Sequence, residues 1–408
     1  MPAVCLYFQV HQPKRIKKFR VFDIGQDDEY FNDRSESNLN NKKVLAKVAS
    51  KAYLPTNEVI YKLLKKYPKF KVSYSFSGVL LEQLRDEFPG VLKSFKKIVN
   101  TGKVELLSET YYHSLAYFYS LGEFTSQVRK HAEILKAVFD YKKPKVFRNT
   151  ELAYTNGLAM WAEKNGYLAI LAEGWDGILG WRSPNFVYQP KGAKSIKLLL
   201  KNYKLSDDIA FRFSEKSWSE WPLTSEKFAS WVSALNGNGE TVNLFMDYET
   251  FGEHQWEDTG ILKFLESIPA EILKNKSNSF MTPSEVVKKF PVRDEIDVPG
   301  IVTWADTERD LSAWRGNSIQ HSALEFIYKM EEKIIKSGRH ELIEKWRLMQ
   351  TSDHFYYMCT KWFSDGDVHK YFNPYESPYD AYISFMNAAS DLSLRVEKSL
   401  KSKNKIKK

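Results

Sequence analysis

Along roughly the first three quarters of the chain, short apolar runs alternate with longer stretches of helical period. Runs at 4–10, 71–76, 103–107, 146–148, 168–172, 209–213 and 242–246 are short and rich in apolar, β-branched or aromatic residues, and most are bounded by turn chemistry, so they predict strands. Between them, 57–66 carries Val59, Ile60, Leu63 and Leu64 at helical spacing, and 121–139 and 156–164 also predict helices. Asn156 followed by Gly157 reads as a helix start. Such alternation predicts a parallel α/β architecture, and seven strands in one series favour a barrel over an open sheet. After about residue 305 the pattern changes to long helices at 308–337, 341–363 and 379–399. Trp314, Leu324, Ile327, Tyr328 and Met330 give the first its apolar spacing, and Pro374 and Pro378 punctuate before the last. The expected organisation is therefore a barrel over 1–305 followed by a C-terminal helical bundle over 306–408 that ends in a basic tail.

Composition narrows the class. The chain has 408 residues, of which 43% are hydrophobic and 27% charged, as in ordinary globular proteins. No GxGxxG or P-loop occurs, which removes the strongest markers of nucleotide folds. Net charge is +9, but the excess is scattered lysine plus the run at 401–408, read as a frayed, solvated tail. No zinc-finger spacing, RNA-recognition signature or basic heptad region is present, so no nucleic-acid partner is expected. Cys5 and Cys359 are the two cysteines and form no disulfide framework, which fits a reducing compartment. The start, Met1-Pro2-Ala3-Val4, lacks a basic leader and a long apolar stretch, and no run of about 18 apolar residues occurs. The expectation is a cytoplasmic protein without a membrane partner.

In a β/α barrel the chemistry sits just past the C-terminal ends of the strands. After the first run comes Gln9-Val10-His11-Gln12-Pro13, whose His11 can bond a ligand hydroxyl or simply brace a turn. After the third come Glu109 and His113 among tyrosines, as ligand contacts or as a satisfied buried network. After the fourth comes Arg148-Asn149-Thr150-Glu151, where Glu151 faces a cleft unless it is a plain ion pair with Arg148. After the seventh an apolar strand runs straight into Asp247, Glu249, Glu253 and His254, groups that are costly there unless solvated, paired or functional. Gly252 marks a tight turn among them. Two carboxylates from different strands of one rim suit glycoside hydrolysis, one ionised to attack the anomeric carbon and the other kept protonated to protonate the leaving oxygen. The aromatic content, 11 Trp, 23 Tyr and 26 Phe, allows stacking on the C–H faces of sugar rings, with Trp175, Trp181, Trp221 and Trp304 as candidates that core packing competes for.

Five short motifs occur in order: His11-Gln12-Pro13; Val104-Glu105-Leu106-Leu107 with Tyr112-His113; Thr150-Glu151-Leu152-Ala153-Tyr154; Asp247-Tyr248-Glu249-Thr250-Phe251-Gly252; and Thr351-Ser352-Asp353-His354-Phe355. Together they resemble the five sequence regions of glycoside hydrolase family 57, and Phe147 to Leu152, Asp247 to His254 and Trp304-Ala305-Asp306 with Arg309 to Trp314 resemble its α-amylase-like branch. The resemblance implies an incomplete (β/α)7 TIM-like barrel, a helical C-terminal region and a retaining mechanism on α-glucans. Carried over by position, Glu151 matches the nucleophile and Asp247 the general acid/base, while His11 and Asp353 match donor-subsite residues, with His113 alongside them. Glu109, His254 and Trp304 complete the expected substrate-binding set. Arg148, His254 and Tyr356 stand where the family's glucanotransferase branch carries Trp, which argues against transglycosylation. The expected activity is hydrolysis of α-1,4-glucosidic bonds in starch, glycogen or maltodextrin without metal or cofactor. The alternatives are 4-α-glucanotransferase or branching activity, or a non-catalytic glucan-binding protein. A metal-dependent deacetylase lacks its His-x3-His spacing here, since His11, His113 and His254 are isolated.

Overall fold

The computed structural model describes residues 2–361 and 368–406. The chain divides into two compact units, one formed by Met1–His11, Ala46–Glu109 and Val128–Trp304, the other by Gln12–Leu45, Thr110–Gln127 and Ala305–Lys408.

Among its described residues the first unit contains ten strands: β1 (Ala3–Val10), β2 (Val72–Phe76), β3 (Val104–Leu106), β4 (Val146–Arg148), β5 (Ala169–Glu173), β6 (Val187–Pro190), β7 (Lys197–Lys201), β8 (Thr241–Asp247), β9 (Ser279–Phe280) and β10 (Val292–Ile296). One sheet runs β3-β2-β1-β8 with β9 also on β1, and the other β10-β6-β7-β5-β4. Neighbouring strands are parallel except β6 with β7. Backbone bonds stitch both seams: the Ser108 amide donates to Val146 O and the Arg148 amide to Ser108 O, both at 2.9 Å, and the Asn202 amide donates to Asn243 O at 2.8 Å. Strands β1, β2, β3, β4, β5, β7 and β8 thus follow one another in chain order around a common interior, the incomplete (β/α)7 barrel expected. Ala3, Cys5, Tyr7, Leu107, Val146, Ala169, Leu171, Leu199 and Phe245 pack together inside it. Each large apolar side chain buried there contributes about 1.5–3 kcal/mol.

Six of the seven predicted strands form at their predicted places. The run at 209–213 does not. Asn202 caps a helix over Tyr203–Ala210 by accepting the Leu205 amide at 3.1 Å, so Ile209 and Ala210 lie buried on its last turn. The strand at that station is β7, Lys-Leu-Leu-Leu-Lys. The helices Leu54–Lys66, Leu121–Phe139 and Asn156–Lys164 form as expected, the last capped by Thr155, which accepts the Leu158 amide at 3.1 Å.

The second unit is helical. The predicted helix at 308–337 is three: Ser312–Arg315, Ser318–Lys329 and Glu331–Ser337. Asn317 restarts the chain by capping the second (Gln320 amide to Asn317 Oδ1, 2.9 Å), and Gly338, at φ 65°, ends the third. The stretch at 341–363 forms His340–Leu348 and Ser352–Tyr356, and its final Trp362 and Phe363 lie outside the described residues. The last helix, Pro378–Ile406, starts at the predicted proline; Lys407 and Lys408 of the basic tail lie outside the described residues. Buried Trp346 donates to Ile327 O at 2.7 Å, and Arg347 grips Glu123 with two bonds of 2.9 and 3.0 Å. No helix among the described residues is long and apolar enough to cross a membrane.

Candidate active site

Side chains alternate faces along a strand, so an inward apolar series dictates what stands above it. On β1, Ala3, Cys5 and Tyr7 point inward and Gln9 continues the series. By the same count of two, Leu107 leads to Glu109, Val146 to Arg148, Leu171 to Glu173, Leu199 to Lys201 and Phe245 to Asp247. The apolar interior is therefore topped, at the C-terminal ends of the strands, by a layer made almost wholly of polar groups. Glu109, Arg148 and Glu173 are fully buried, Lys201 and Gln9 nearly so, and Asp247 is partly exposed.

Charges buried this deeply persist only when paired or bonded. Gln9 donates to Glu109 (3.1 Å to Oε1) and accepts from Tyr7 (2.8 Å) and Ser75 (2.6 Å). Burial pushes the Tyr7 phenol well above its ordinary range despite nearby Arg148. His131 bonds the Phe76 carbonyl through Nε2 at 2.8 Å and accepts the Glu109 amide at Nδ1 (3.4 Å), and burial lowers its pKa, so it is neutral. Lys201 lies 3.0 Å from Asp207 and 3.6 Å from Glu173. The guanidinium of Arg148 stands 3.9 Å from Glu109, and none of its three nitrogens makes a hydrogen bond to another group among the described residues.

Glu151 follows β4 in a strained turn. It adopts φ 58° and ψ 25°, and Leu152 follows at φ 52°. Such left-handed geometry costs a non-glycine residue about 1–2 kcal/mol and persists only where the surroundings enforce it. Here they do: Tyr154 and Val302 exchange backbone bonds of 2.9 and 3.1 Å, the Trp304 amide donates to Glu151 O at 3.3 Å, and buried Leu152 anchors the turn in the barrel core. The indole Nε1–H of Trp304 donates to Glu151 Oε2 at 2.7 Å, fixing the carboxylate.

Asp247 ends β8 opposite Gln9. The loop beyond it is tied down by Tyr53, which donates to the Glu249 carboxylate, by Thr56 (3.0 Å to Phe251 O) and by the Lys47–Glu253 ion pair at 2.5 Å. His254 donates its amide to Glu249 O at 3.0 Å, and burial, partly offset by Glu253, drives its pKa down to about 4, so it is neutral at pH 7.

Of the residues expected from sequence, His11, Glu109, Glu151, Asp247, His254 and Trp304 belong to the first unit. His11 bonds Ser77 through Nδ1 at 2.6 Å. His113 and Asp353 belong to the second unit, where the Ser352 amide donates to His113 O at 2.9 Å, and Asp353 and Arg15 both act on Tyr357. Arg148 pairs with Glu109, not with Glu151. Trp181 is 85% exposed, Trp175 and Trp221 about as open as surface residues, and Trp304 partly buried against the core. Sequence reasoning missed Gln9, Glu173 and Lys201; the inward series extended by two residues would have found them.

A polar layer over an apolar interior, with loops carrying carboxylates above it, defines a β/α-barrel enzyme. The model of glycosyl hydrolase family 57 matches residues 5–299. A Methanocaldococcus jannaschii protein, named provisionally as an alpha-amylase, is 44% identical over 405 residues, covering 96% of this chain and 84% of its own. Among solved structures, the family 57 branching enzyme of Pyrococcus horikoshii superposes with a TM-score of 0.69 at 16% identity, covering 91% of this chain and 87% of its own. The 4-alpha-glucanotransferase of Thermococcus litoralis gives 0.58 at 17% identity, covering 91% of this chain but 54% of its own. The chain belongs to glycosyl hydrolase family 57 and is a glycoside hydrolase.

Proposed function

We propose that the protein hydrolyses α-1,4-glucosidic bonds of α-glucans by double displacement with retention, Glu151 acting as nucleophile and Asp247 as general acid/base. The observation that carries this reading is the treatment of Glu151: a strained turn at a strand's C-terminal end holds it, and an indole N–H fixes one oxygen 2.7 Å away. Asp247, at the end of β8, stands on the same rim of the parallel ring. The α-glucan substrate is inferred from the Methanocaldococcus relative, which bears the name of an alpha-amylase, and from the two structural neighbours, a branching enzyme and a 4-alpha-glucanotransferase.

In the first step Asp247, protonated, gives its proton to the glycosidic oxygen as the C–O bond breaks, while a Glu151 oxygen bonds the anomeric carbon. The leaving glucan departs as an alcohol and a glycosyl ester remains. In the second, Asp247 takes a proton from water, the water oxygen attacks the anomeric carbon, and Glu151 leaves as carboxylate. Two inversions give net retention, and every proton is accounted for by Asp247. His11, His113, Glu109, His254 and Asp353 are proposed substrate contacts.

The test is incubation with maltoheptaose, products followed by chromatography and anomer by NMR. The wild type is expected to shorten the sugar with α-configured products. Asp247→Asn should lose about 10²–10⁴-fold and Glu151→Gln at least as much. Products longer than the substrate would move the assignment to glucan transfer, and binding without cleavage would make the protein a glucan-binding one.

A further inference from the structure

Two cations lie over the ring of Trp304: the Arg148 guanidinium at 5.0 Å from the ring centroid and the Lys201 ammonium at 5.5 Å. That ring carries the N–H bonded to Glu151. We propose that Arg148 and Lys201 are positioning residues that act through Trp304, holding its indole against Glu151 and strengthening the bond it donates. The proposal rests on the reading of Glu151 as the nucleophile.

The argument begins with Arg148. A guanidinium out of water costs several kcal/mol unless its donors are satisfied. Here the side chain is completely buried, none of its nitrogens is hydrogen-bonded to a described residue, and its carboxylate neighbour Glu109 stands at 3.9 Å, already engaged by Gln9. An ordinary structural arginine would close on that carboxylate with two short bonds. Besides that loose ion pair, the close neighbour that uses its charge is the indole face, an attraction worth about 2 kcal/mol or more once desolvated. Lys201 adds a second charge over the same ring, itself balanced by Asp207 and Glu173. A cation over an indole draws electron density from the ring and makes its N–H a better donor. The recipient is the carboxylate of Glu151.

The consequence falls on one half-reaction. In the glycosyl ester Glu151 carries no full charge and accepts weakly, whereas in the free carboxylate it accepts strongly. A stronger donor therefore favours the step in which Glu151 leaves. Neutralising Arg148 should slow breakdown of the glycosyl-enzyme more than its formation, so kcat and KM fall together. Because the guanidinium makes no hydrogen bond to any described residue, its charge over the ring matters to the indole more than its fork geometry, and lysine should substitute for it.

The experiment uses the full chain labelled with 15N at its 11 tryptophans. Trp304→Phe assigns the Trp304 indole signal. Glu151→Gln, Arg148→Met and Lys201→Met are each expected to move that signal upfield while leaving the other indole signals in place, and Arg148→Lys to leave it near the wild-type position. On maltoheptaose, Arg148→Met is expected to lower kcat about tenfold with a parallel fall in KM, and Arg148→Lys to recover most of it. A Trp304 signal indifferent to both methionine variants overturns the proposal. So does a raised KM at unchanged kcat. If the indole signal responds as expected but the wild type is inert on maltoheptaose, the positioning contact is supported and the α-glucan assignment alone falls.

Discussion

Adding one methyl group at Gly252 tests whether the loop after β8 is held as tightly as its contacts imply. Gly252 sits at φ 114°, and a Cβ there would lie 2.0 Å from the Lys51 carbonyl oxygen, 2.8 Å from its carbon and 2.9 Å from Ala52 Cα. Ordinary C···O contact begins at about 3.3 Å, so relief needs a shift of about 1.3 Å between two backbones. Neither gives easily: Gly252 donates to Gln255 O at 2.9 Å, and Thr56, in the helix beyond Lys51, bonds Phe251 O at 3.0 Å. Strain of about 1–3 kcal/mol at the backbone and about 1–3 kcal/mol of overpacking together predict a loss of about 2–6 kcal/mol for Gly252→Ala. Gly260 is the control. It adopts φ 87° with nothing within 4 Å of a new Cβ, so Gly260→Ala should cost only the conformational part, about 1–2 kcal/mol. Urea unfolding, extrapolated to water, measures both. Because the loop leads directly from Asp247, Gly252→Ala should also depress kcat on maltoheptaose, which Gly260→Ala should not. Equal destabilisation by the two substitutions, or a Gly252→Ala protein of wild-type stability, would refute the steric argument.

Two further outcomes concern the helical unit. Arg347→Leu removes the partner of Glu123, whose carboxyl is nearly buried and raised in pKa by burial even with Arg347 in place; a loss of about 3–5 kcal/mol is expected by urea titration, and a loss under about 1 kcal/mol would mean the pair is idle. Burial alone would lower the pKa of His369, but Asp306, at 2.9 Å, and then Cys359 raise it to about 9, while Asp306 itself is lowered. A histidine raised in the folded state contributes stability that is fully present below its unfolded value, about 6.5, and is lost as pH rises through about 9. The gap in urea midpoint between wild type and His369→Gln should therefore shrink from pH 6 to pH 10, and a gap independent of pH would contradict the pairing.

The barrel was legible because buried parallel strands write their signature locally. Val-Cys-Leu-Tyr-Phe and Leu-Phe-Met are apolar without interruption, Asp247 stands directly past the second, and Glu151 follows the short run Val146-Phe147 after three polar residues. The failure at β7 has a physical cause. Lys197 and Lys201 bracket three leucines, which looks like an exposed segment until the chain supplies Asp207 and Glu173 for one lysine and the Val287 carbonyl, 2.5 Å away, for the other. Conversely 209–213 is apolar enough for a strand, but Asn202 had already committed the chain to a helix. The support of Glu151 by Trp304 spans a long sequence separation, and no local pattern reports it. Arg148 could be flagged as a neighbour of Glu151, yet only the folded barrel turns it toward Glu109 and the indole.

Strand β1 carries a cost during biosynthesis. It is synthesised before the strands it pairs with, is buried along its whole length, and lies against β2 on one edge and β8 on the other, beginning with Ala3 against Thr241. At about 5–20 residues per second, roughly 12–48 s separate the synthesis of Ala3 from that of Thr241. Through that interval an apolar strand has a bare edge, the kind of template on which nascent chains pair with the wrong partner. Slowing translation before β8 should therefore lower the yield of soluble protein more than an equal delay after it.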